Sequence, residues 1–176
     1  ENALAQRLQQ QAELGFDDLL LQLDRALHGP RGESLAARIR AQFPVAMIDE
    51  FQDTDPLQYR IFDRIYNIRN NHGRTQDNSH SCAIIMIGDP KQAIYSFRHA
   101  DIHTYLQARE ATGERHYNLG TNFRSSQGLV NAVNHLFEQA EQWPKGAFRF
   151  RCDAGDPLPF LPVDARGRDE QLVPDG

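Results

Sequence analysis

Three groups of polar residues have the types and the spacing that chemistry on a phosphate requires. Asp49 and Glu50 directly follow the apolar run 45–48, residues 88–98 (GDPKQAIYSFR) follow a second apolar run, and residues 121–125 (TNFRS) follow a third candidate strand. Together they supply carboxylates for Mg²⁺, a glutamine able to sense a polar ligand, an arginine for phosphate and aromatic rings. Phosphoryl transfer needs a metal ion to neutralise charge, a carboxylate to orient water and an arginine to stabilise the transition state.

Each group also has a structural interpretation, which the residues alone leave open. Asp49 and Glu50 could be solvated acids at a turn, since short motif matches are often accidental. Tyr95 and Phe97 could be core residues, and Arg124 could form a surface ion pair.

Strands and helices alternate along the chain, which predicts an α/β fold with a parallel sheet flanked by helices. Strands are predicted from Val45 and over 82–87, and residues 116–119 are a third candidate strand. Helices are predicted over residues 3–14, 16–27, 35–43, 56–69, 101–110 and 126–141, with a short helical stretch at 91–95 and a polar loop at 70–81. Ser34, Asp55 and Ser125 are the expected caps.

The apolar patterns also predict which faces are buried. The run at 45–48 lacks alternation, so we expect its strand to be buried on both faces. In the last helix, four apolar side chains are expected to face inward: Leu129, Val133, Leu136 and Phe137. If neighbouring parallel strands carry the three polar groups, the groups converge at one sheet edge.

Length and composition are those of an ordinary globular chain. Its 176 residues, 40% hydrophobic and 24% charged, suit one domain or slightly more with a sizeable core. The net charge of −5 argues against a protein that wraps nucleic acid through general positive charge. No run approaches the roughly 18 apolar residues of a membrane span, and Cys82 and Cys152 lack metal-ligand spacing. A cytoplasmic protein without a membrane partner is therefore expected.

Three stretches, taken in order, resemble the motifs of a known family. Residues 45–54 (VAMIDEFQDT), 88–101 (GDPKQAIYSFRHAD) and 121–126 (TNFRSS) look like motifs II, III and IV of superfamily 1 helicases of the UvrD/Rep type. Residues 16–20 (FDDLL) resemble the segment that precedes motif II in that family. Within it, motifs III and IV and residues 148–163 look most like the RecB-type subunits of exodeoxyribonuclease V.

The resemblance implies a partial RecA-like P-loop NTPase core. A helical segment over 1–44 would lead into a partial ATPase domain over 45–142, followed at 143–176 by a tail rich in proline and glycine or by the start of another domain. The parent protein would use ATP and Mg²⁺ to move 3′→5′ along DNA and unwind it, with an exonuclease activity, in double-strand break repair and recombination. Its partners would be single-stranded DNA, duplex ends and the other subunits of a RecBCD-like complex.

The resemblance also assigns roles to the residues of motifs II to IV. Asp49 would coordinate Mg²⁺ with Glu50 beside it, and Glu50 would orient the attacking water. Gln92 would contact the γ-phosphate and couple it to the DNA site. Phe123 would pack on adenine, and Arg124 would reach the γ-phosphate.

The middle motif is expected to link ATP to single-stranded DNA. Tyr95, Phe97 and Arg98 would contact DNA, with Phe97 stacking on a base. Asp89 is interpreted as support for the loop at the strand end. His99 stands where the family usually has glycine, which predicts a differently shaped turn.

A P-loop sequence, Gly-x-x-x-x-Gly-Lys-Ser/Thr, does not occur among these 176 residues. Because a P-loop holds the phosphates with its backbone N–H groups and its lysine, we expect the isolated chain to lack ATPase activity.

Two alternative functions remain open. They are a metal nuclease using Asp49, Glu50 and Asp53, and a non-enzymatic module that binds DNA or a protein. A two-metal nuclease needs ions about 3.5–4 Å apart, and neither alternative explains three ordered motifs.

Overall fold

The computed structural model describes residues 15–70, 82–93 and 101–166. It divides into two compact units, Glu1–His116 and Tyr117–Gly176. The predicted helix at 3–14 and most of the predicted loop at 70–81 lie outside the described residues, and the domain boundaries at 44 and 142 stay predictions. Among the described helices, none is both long enough and apolar enough to cross a membrane.

In its described residues, the first unit contains four helices and two strands, which confirms the α/β class. The helices are α1 (Phe16–His28), α2 (Gly32–Gln42), α3 (Pro56–Tyr66) and α4 (Ile102–Thr112), and the strands are β1 (Val45–Ile48) and β2 (Ala83–Met86). A 3₁₀ turn at Phe51–Asp53 follows β1, and another at Pro90–Gln92 follows β2. Each predicted helix in the described part of this unit is therefore present, with ends that differ by a few residues.

The connection between α1 and α2 is tighter than the sequence suggests. The Gly32 N–H donates to the Gly29 carbonyl at 2.9 Å, and a Cβ at Gly32 would overlap the carbonyl oxygen of Leu27. Helix α2 therefore begins at Gly32, with Arg31 as its N-cap. The prediction that Ser34 caps this helix is wrong, because the glycine turn starts the helix earlier.

Helix α3 begins as its sequence predicts. The Asp55 carboxylate accepts the Gln58 N–H at 2.8 Å, and the Gln58 side chain accepts the Asp55 N–H at 3.2 Å. Pro56 fills the first helical position, where a backbone donor is not needed. Asn67, in the left-handed conformation, ends the helix before the predicted residue 69.

Strands β1 and β2 pair in parallel, with Val45 beside Ala83 and Ile48 beside Met86. One face of the pair, which includes Ile48 and Ile84, packs on two apolar clusters. The first consists of Leu27, Ala36, Ile61, Ile65 and Tyr66, and the second of Phe51, Tyr59, Ile68, Ala108 and Ala111. These clusters join the helices to the sheet.

The other face of the strand pair is open, so the prediction of burial on both faces is wrong for this chain. Val45 and Met47 of β1 are 59% and 66% exposed, and Ile85 of β2 is 44% exposed. Alternation places these three side chains opposite the face that carries the clusters. An unbroken apolar run thus occurs here with only one face covered by the described residues.

Ion pairs tie the helices of this unit together. The guanidinium of Arg60 on α3 donates to both carboxylate oxygens of the buried Asp24 on α1, at 2.8 and 2.5 Å. Glu33 on α2 accepts from Arg40 at 2.6 Å and from Arg64 on α3 at 2.9 Å. The planar fork of arginine suits such two-point contacts, and they fix how α1 and α2 lie against α3.

The described part of the second unit, residues 117–166, contains a parallel pair of short strands and one helix. These elements are β3 (Thr121–Asn122), α5 (Gln127–Glu141) and β4 (Asp164–Ala165). β3 and β4 pair in parallel, and the Asn134 side chain on α5 exchanges hydrogen bonds with the backbone of Val163 at 2.8 and 3.3 Å. Phe137 lies 5.4 Å, between ring centroids, from both Phe148 and Phe160.

Three expectations for this region are wrong. No strand forms over 116–119, where Tyr117 is 95% exposed, and the strand is found instead at 121–122. Ser126 rather than Ser125 caps α5. Of the residues expected to face inward, three are exposed instead: Leu129, Val133 and Leu136. Val130 is the buried residue of α5, and Phe137, the fourth of the residues expected to face inward, is half-buried.

Removing the central side chain of the first cluster should destabilise the first unit strongly. Leu27 is 0% exposed, so Leu27→Ala should lower the free energy of unfolding by about 2–5 kcal/mol through lost burial and a cavity. Chemical denaturation would measure it. Leu19→Ala, on the same helix but half exposed, is the matched control, and an equal loss in both variants would contradict the assignment of Leu27 to the core.

Glu33 should make the folding stability of the first unit decrease at acidic pH. The hydrogen bond from Arg40 lowers its carboxyl pKa most, burial opposes this, and Arg64 adds to the lowering. A lowered folded pKa gives stability that is present above the unfolded value, near 4.5, and is lost as the pH falls through the folded value. Thermal unfolding scanned downward from about pH 5 should therefore decline less in Glu33→Gln than in the parent. The exposed Glu114→Gln variant should follow the parent.

Candidate functional site

The parallel pairing brings the first two motifs to one edge of the sheet. The Ile87 N–H donates to the Ile48 carbonyl at 2.8 Å, and the Phe51 N–H donates back to the Ile87 carbonyl at 2.8 Å. Asp49 and Glu50 leave β1 beside the Gly88–Asp89 turn that leaves β2. The expected convergence is therefore found for these two groups, at the carboxyl ends of parallel strands, where α/β sheets place ligands.

Glu50 has an unusual backbone conformation. Its φ of 50° and ψ of 42° lie in the left-handed region, which costs a non-glycine residue about 1–2 kcal/mol. The turn sends the chain from β1 directly into the 3₁₀ turn Phe51–Asp53, and the Glu50 N–H donates to the Asp49 carboxylate at 2.9 Å. Both acids stay exposed. Backbone strain of this kind is concentrated at functional sites.

Gln52 connects the two strand ends. It is 2% exposed, its Nε2 donates to Glu50 Oε2 at 2.6 Å, and its Oε1 accepts the Asp89 N–H at 3.0 Å. The contacts join a residue that follows β1 to one that follows β2. The strand-end loops are thus linked by a side chain as well as by the backbone ladder.

Asp89 organises the loop that carries Gln92. Its carboxylate accepts the Lys91 N–H at 3.1 Å, the Lys91 ammonium at 2.6 Å and the Gln92 Nε2 at 3.2 Å. Burial raises the pKa of this carboxyl, but the hydrogen bonds from Lys91 and Gln92 together outweigh burial and hold it below its usual value. Asp89 therefore supports the strand-end loop as an ionised group.

The third motif lies in the second unit, on β3, which pairs with β4 rather than with β1 or β2. The Asn122 side chain accepts the N–H groups of Arg124 and Ser125, both at 2.9 Å, and this turn presents Phe123 and Arg124 to solvent. The guanidinium of Arg166 lies 5.5 Å from the centroid of the Phe123 ring, within cation–π range.

Tyr95, Phe97 and Arg98, the residues predicted to contact DNA, lie outside the described residues. Asp53, the third acid of the nuclease alternative, has one carboxylate oxygen that is buried without a hydrogen-bond partner. Within residues 15–70, 82–93 and 101–166, no group of three or more His, Cys, Asp or Glu side chains is placed to hold a metal ion.

Sequence reasoning did not single out Gln52 or Arg166. Gln52 gives no periodic signal, because its contact with Asp89 depends on the arrival of β2 from 37 positions away. Arg166 belongs to a stretch without regular pattern, and only its pairing beside Asn122 brings it to Phe123. Both contacts are long-range, which local sequence patterns do not report.

Comparison with known proteins gives consistent matches. Residues 2–112 match the model of the UvrD/REP helicase N-terminal domain. Among curated proteins, the chain is 50% identical over 96% of its length to the RecBCD enzyme subunit RecB of Escherichia coli K12. It is 46% identical over 88% of its length to the same subunit of Haemophilus influenzae, and 39% identical over 77% to that of Mycolicibacterium smegmatis. The chain spans 13%, 11% and 11% of these relatives' lengths.

The close approach of Gly88 to Gln52 and Phe51 allows a direct test of how the two strand-end loops pack. A Cβ there would lie 2.6 Å from Gln52 Oε1 and 3.0 Å from the Phe51 nitrogen. Gly88→Ala should therefore destabilise the first unit by about 1–3 kcal/mol in denaturation experiments, as overpacking does. Gly128→Ala is the matched control, since its Cβ meets nothing within 4 Å and helical alanine should stabilise. A neutral Gly88→Ala would contradict the described contact.

Proposed function

The chain belongs to the UvrD/REP helicase N-terminal domain family, and we propose that it is part of the ATP-hydrolysing core of a RecB-type DNA helicase subunit. The observation that carries this proposal is the hydrogen-bonded series Glu50–Gln52–Asp89–Gln92. It joins the acid proposed to orient water to the glutamine proposed to contact the γ-phosphate. Two motifs about 40 positions apart in the chain are thereby held together at the ligand-binding edge of a parallel sheet.

The acids at the end of β1 fit a nucleotide-bound magnesium ion. Mg²⁺ in such sites takes one or two protein carboxylates and completes its shell with phosphate oxygens and water. Asp49 and Glu50 are exposed and adjacent, so they supply such a donor set. Asp49, with Glu50 beside it, would hold the ion, which when bound neutralises phosphate charge. Glu50 would orient the attacking water.

The remaining roles complete the proposal for the parent protein. Phe123 would stack on adenine, which its exposed ring and the Asn122 turn support. Arg124 would reach the γ-phosphate, where an arginine stabilises transition-state charge. Tyr95, Phe97 and Arg98 would contact single-stranded DNA, a proposal that depends on the family resemblance.

The relatives are named as subunits of the RecBCD enzyme. We extend that assembly to this protein: the parent would act in the cytoplasm with other subunits of a RecBCD-like complex. It would bind duplex ends and single-stranded DNA, and hydrolyse ATP to move 3′→5′. An exonuclease activity of the parent belongs to the same proposal. Residues 1–44 would lead into the partial ATPase domain 45–142, and 143–176 would form a tail or begin the next domain.

ATP turnover tests the proposal. In the full-length protein that contains this chain, Glu50→Gln should lower DNA-stimulated kcat by about 10²–10⁴-fold, as loss of a general base does, while ATP binding is retained. Glu138→Gln, on the exposed surface of α5, is the matched control and should behave as the parent. The isolated 176-residue chain should show no turnover. Full activity in Glu50→Gln would remove its assigned role, and clear turnover by the isolated chain would contradict the expected need for a P-loop.

A further inference from the structure

The orientation of the Gln52 amide is determined by its partners. The Asp89 backbone N–H can only donate, so the atom that it contacts at 3.0 Å must be the Gln52 oxygen. The amide nitrogen therefore points at Glu50 Oε2, 2.6 Å away. A carboxylate can only accept, so this second contact agrees with the first. Both polar ends of a 2% exposed side chain are thus satisfied in one arrangement.

This arrangement restricts the Glu50 carboxylate. The bond from Gln52 takes up Oε2, and the left-handed backbone of Glu50 fixes where its side chain starts. The same amide reaches Asp89, whose other contacts include Gln92 Nε2 at 3.2 Å. The Glu50 carboxylate is therefore connected to the Gln92 side chain through Gln52 and Asp89.

Other residue types fit the position poorly. Asparagine is one methylene shorter and cannot span both partners, while methionine has a similar length but neither the donor nor the acceptor. Gly88 lies close to the Gln52 side chain, and a Cβ on residue 88 would be only 2.6 Å from Gln52 Oε1. A larger side chain at position 52 would therefore meet the Gly88 backbone. A buried amide with a donor and an acceptor at fixed ends is what the gap between the two loops accommodates.

We propose that Gln52 is a positioning residue for ATP hydrolysis: its amide holds the Glu50 carboxylate and ties it to the loop that carries Gln92. The inference rests on the proposed function, because it requires Glu50 to act on ATP. Gln52 itself touches neither nucleotide nor water in this scheme. Its effect on the reaction passes through Glu50 on one side and Asp89 on the other.

Steady-state kinetics of the full-length protein test the proposal. Gln52→Met should lower kcat for ATP by about 10–100-fold, the effect of a misplacement near 1 Å, while KM for ATP changes little. Gln107→Met, on the exposed side of α4, is the matched control and should keep the parental kcat. Thermal unfolding of each variant shows that folded protein is compared. If Gln52→Met does not fold, Gln52→Asn, which keeps a polar amide, carries the same expectation.

A double substitution tests the tie to Gln92. If the amide couples the two loops, Gln52→Met combined with Gln92→Ala should reduce kcat by clearly less than the product of the two separate reductions. Gln107→Met combined with Gln92→Ala should give the simple product. A simple product for the Gln52 pair would overturn the coupling.

The outcomes separate this inference from the proposed function. Parental protein without ATP turnover would overturn both. Active parental protein with an unchanged kcat in folded Gln52→Met and Gln52→Asn would overturn the positioning role alone. A lower melting temperature with unchanged kcat would also overturn it, because that is the result of a purely structural glutamine.

Discussion

The parallel pairing of β1 with β2 is the interaction on which the first unit depends. It places Ile48 beside Met86, so both strands end at the same level and release their polar residues at one edge. It also presents one continuous apolar face to the helices, where Leu27 and Phe51 anchor the two clusters. Without this register the acids after β1 and the loop after β2 would have no fixed relation, whatever their sequences.

The parts of the fold that follow local rules could be predicted from the sequence. Asp55 followed by Pro56 gave the start of α3 correctly, because a cap and its helix are neighbours in the chain. The prediction of a strand at 116–119 is wrong because strand formation depends on a segment that is distant in the chain. A residue with strand propensity needs a partner, and the partner at Asp164–Ala165 pairs with 121–122 instead, more than 40 positions away. The prediction that β1 is buried on both faces is wrong for a similar reason, because an apolar run does not show which segments cover it.

The same distinction applies to the candidate site. Two acids after an apolar strand are visible in the sequence, and the structure places them at the sheet edge that the pattern predicts. The left-handed conformation of Glu50 and the burial of Gln52 are not visible there, because both depend on β2 lying alongside. Residue types thus indicate which chemistry to expect, whereas long-range contacts determine how Glu50 and Gln52 are held.

The division between charged and neutral groups at this edge has a physical reason. A carboxylate removed from water without partners costs several kcal/mol, and Asp49 and Glu50 remain exposed. An amide can be buried at much lower cost once both of its ends are hydrogen-bonded. Gln52 therefore serves in the interior, where an acidic residue would repel Glu50 and a basic residue could not accept the Asp89 N–H. Rigidity at this edge comes from the buried neutral side chain of Gln52, and the charged carboxylate that it holds, that of Glu50, stays exposed to solvent.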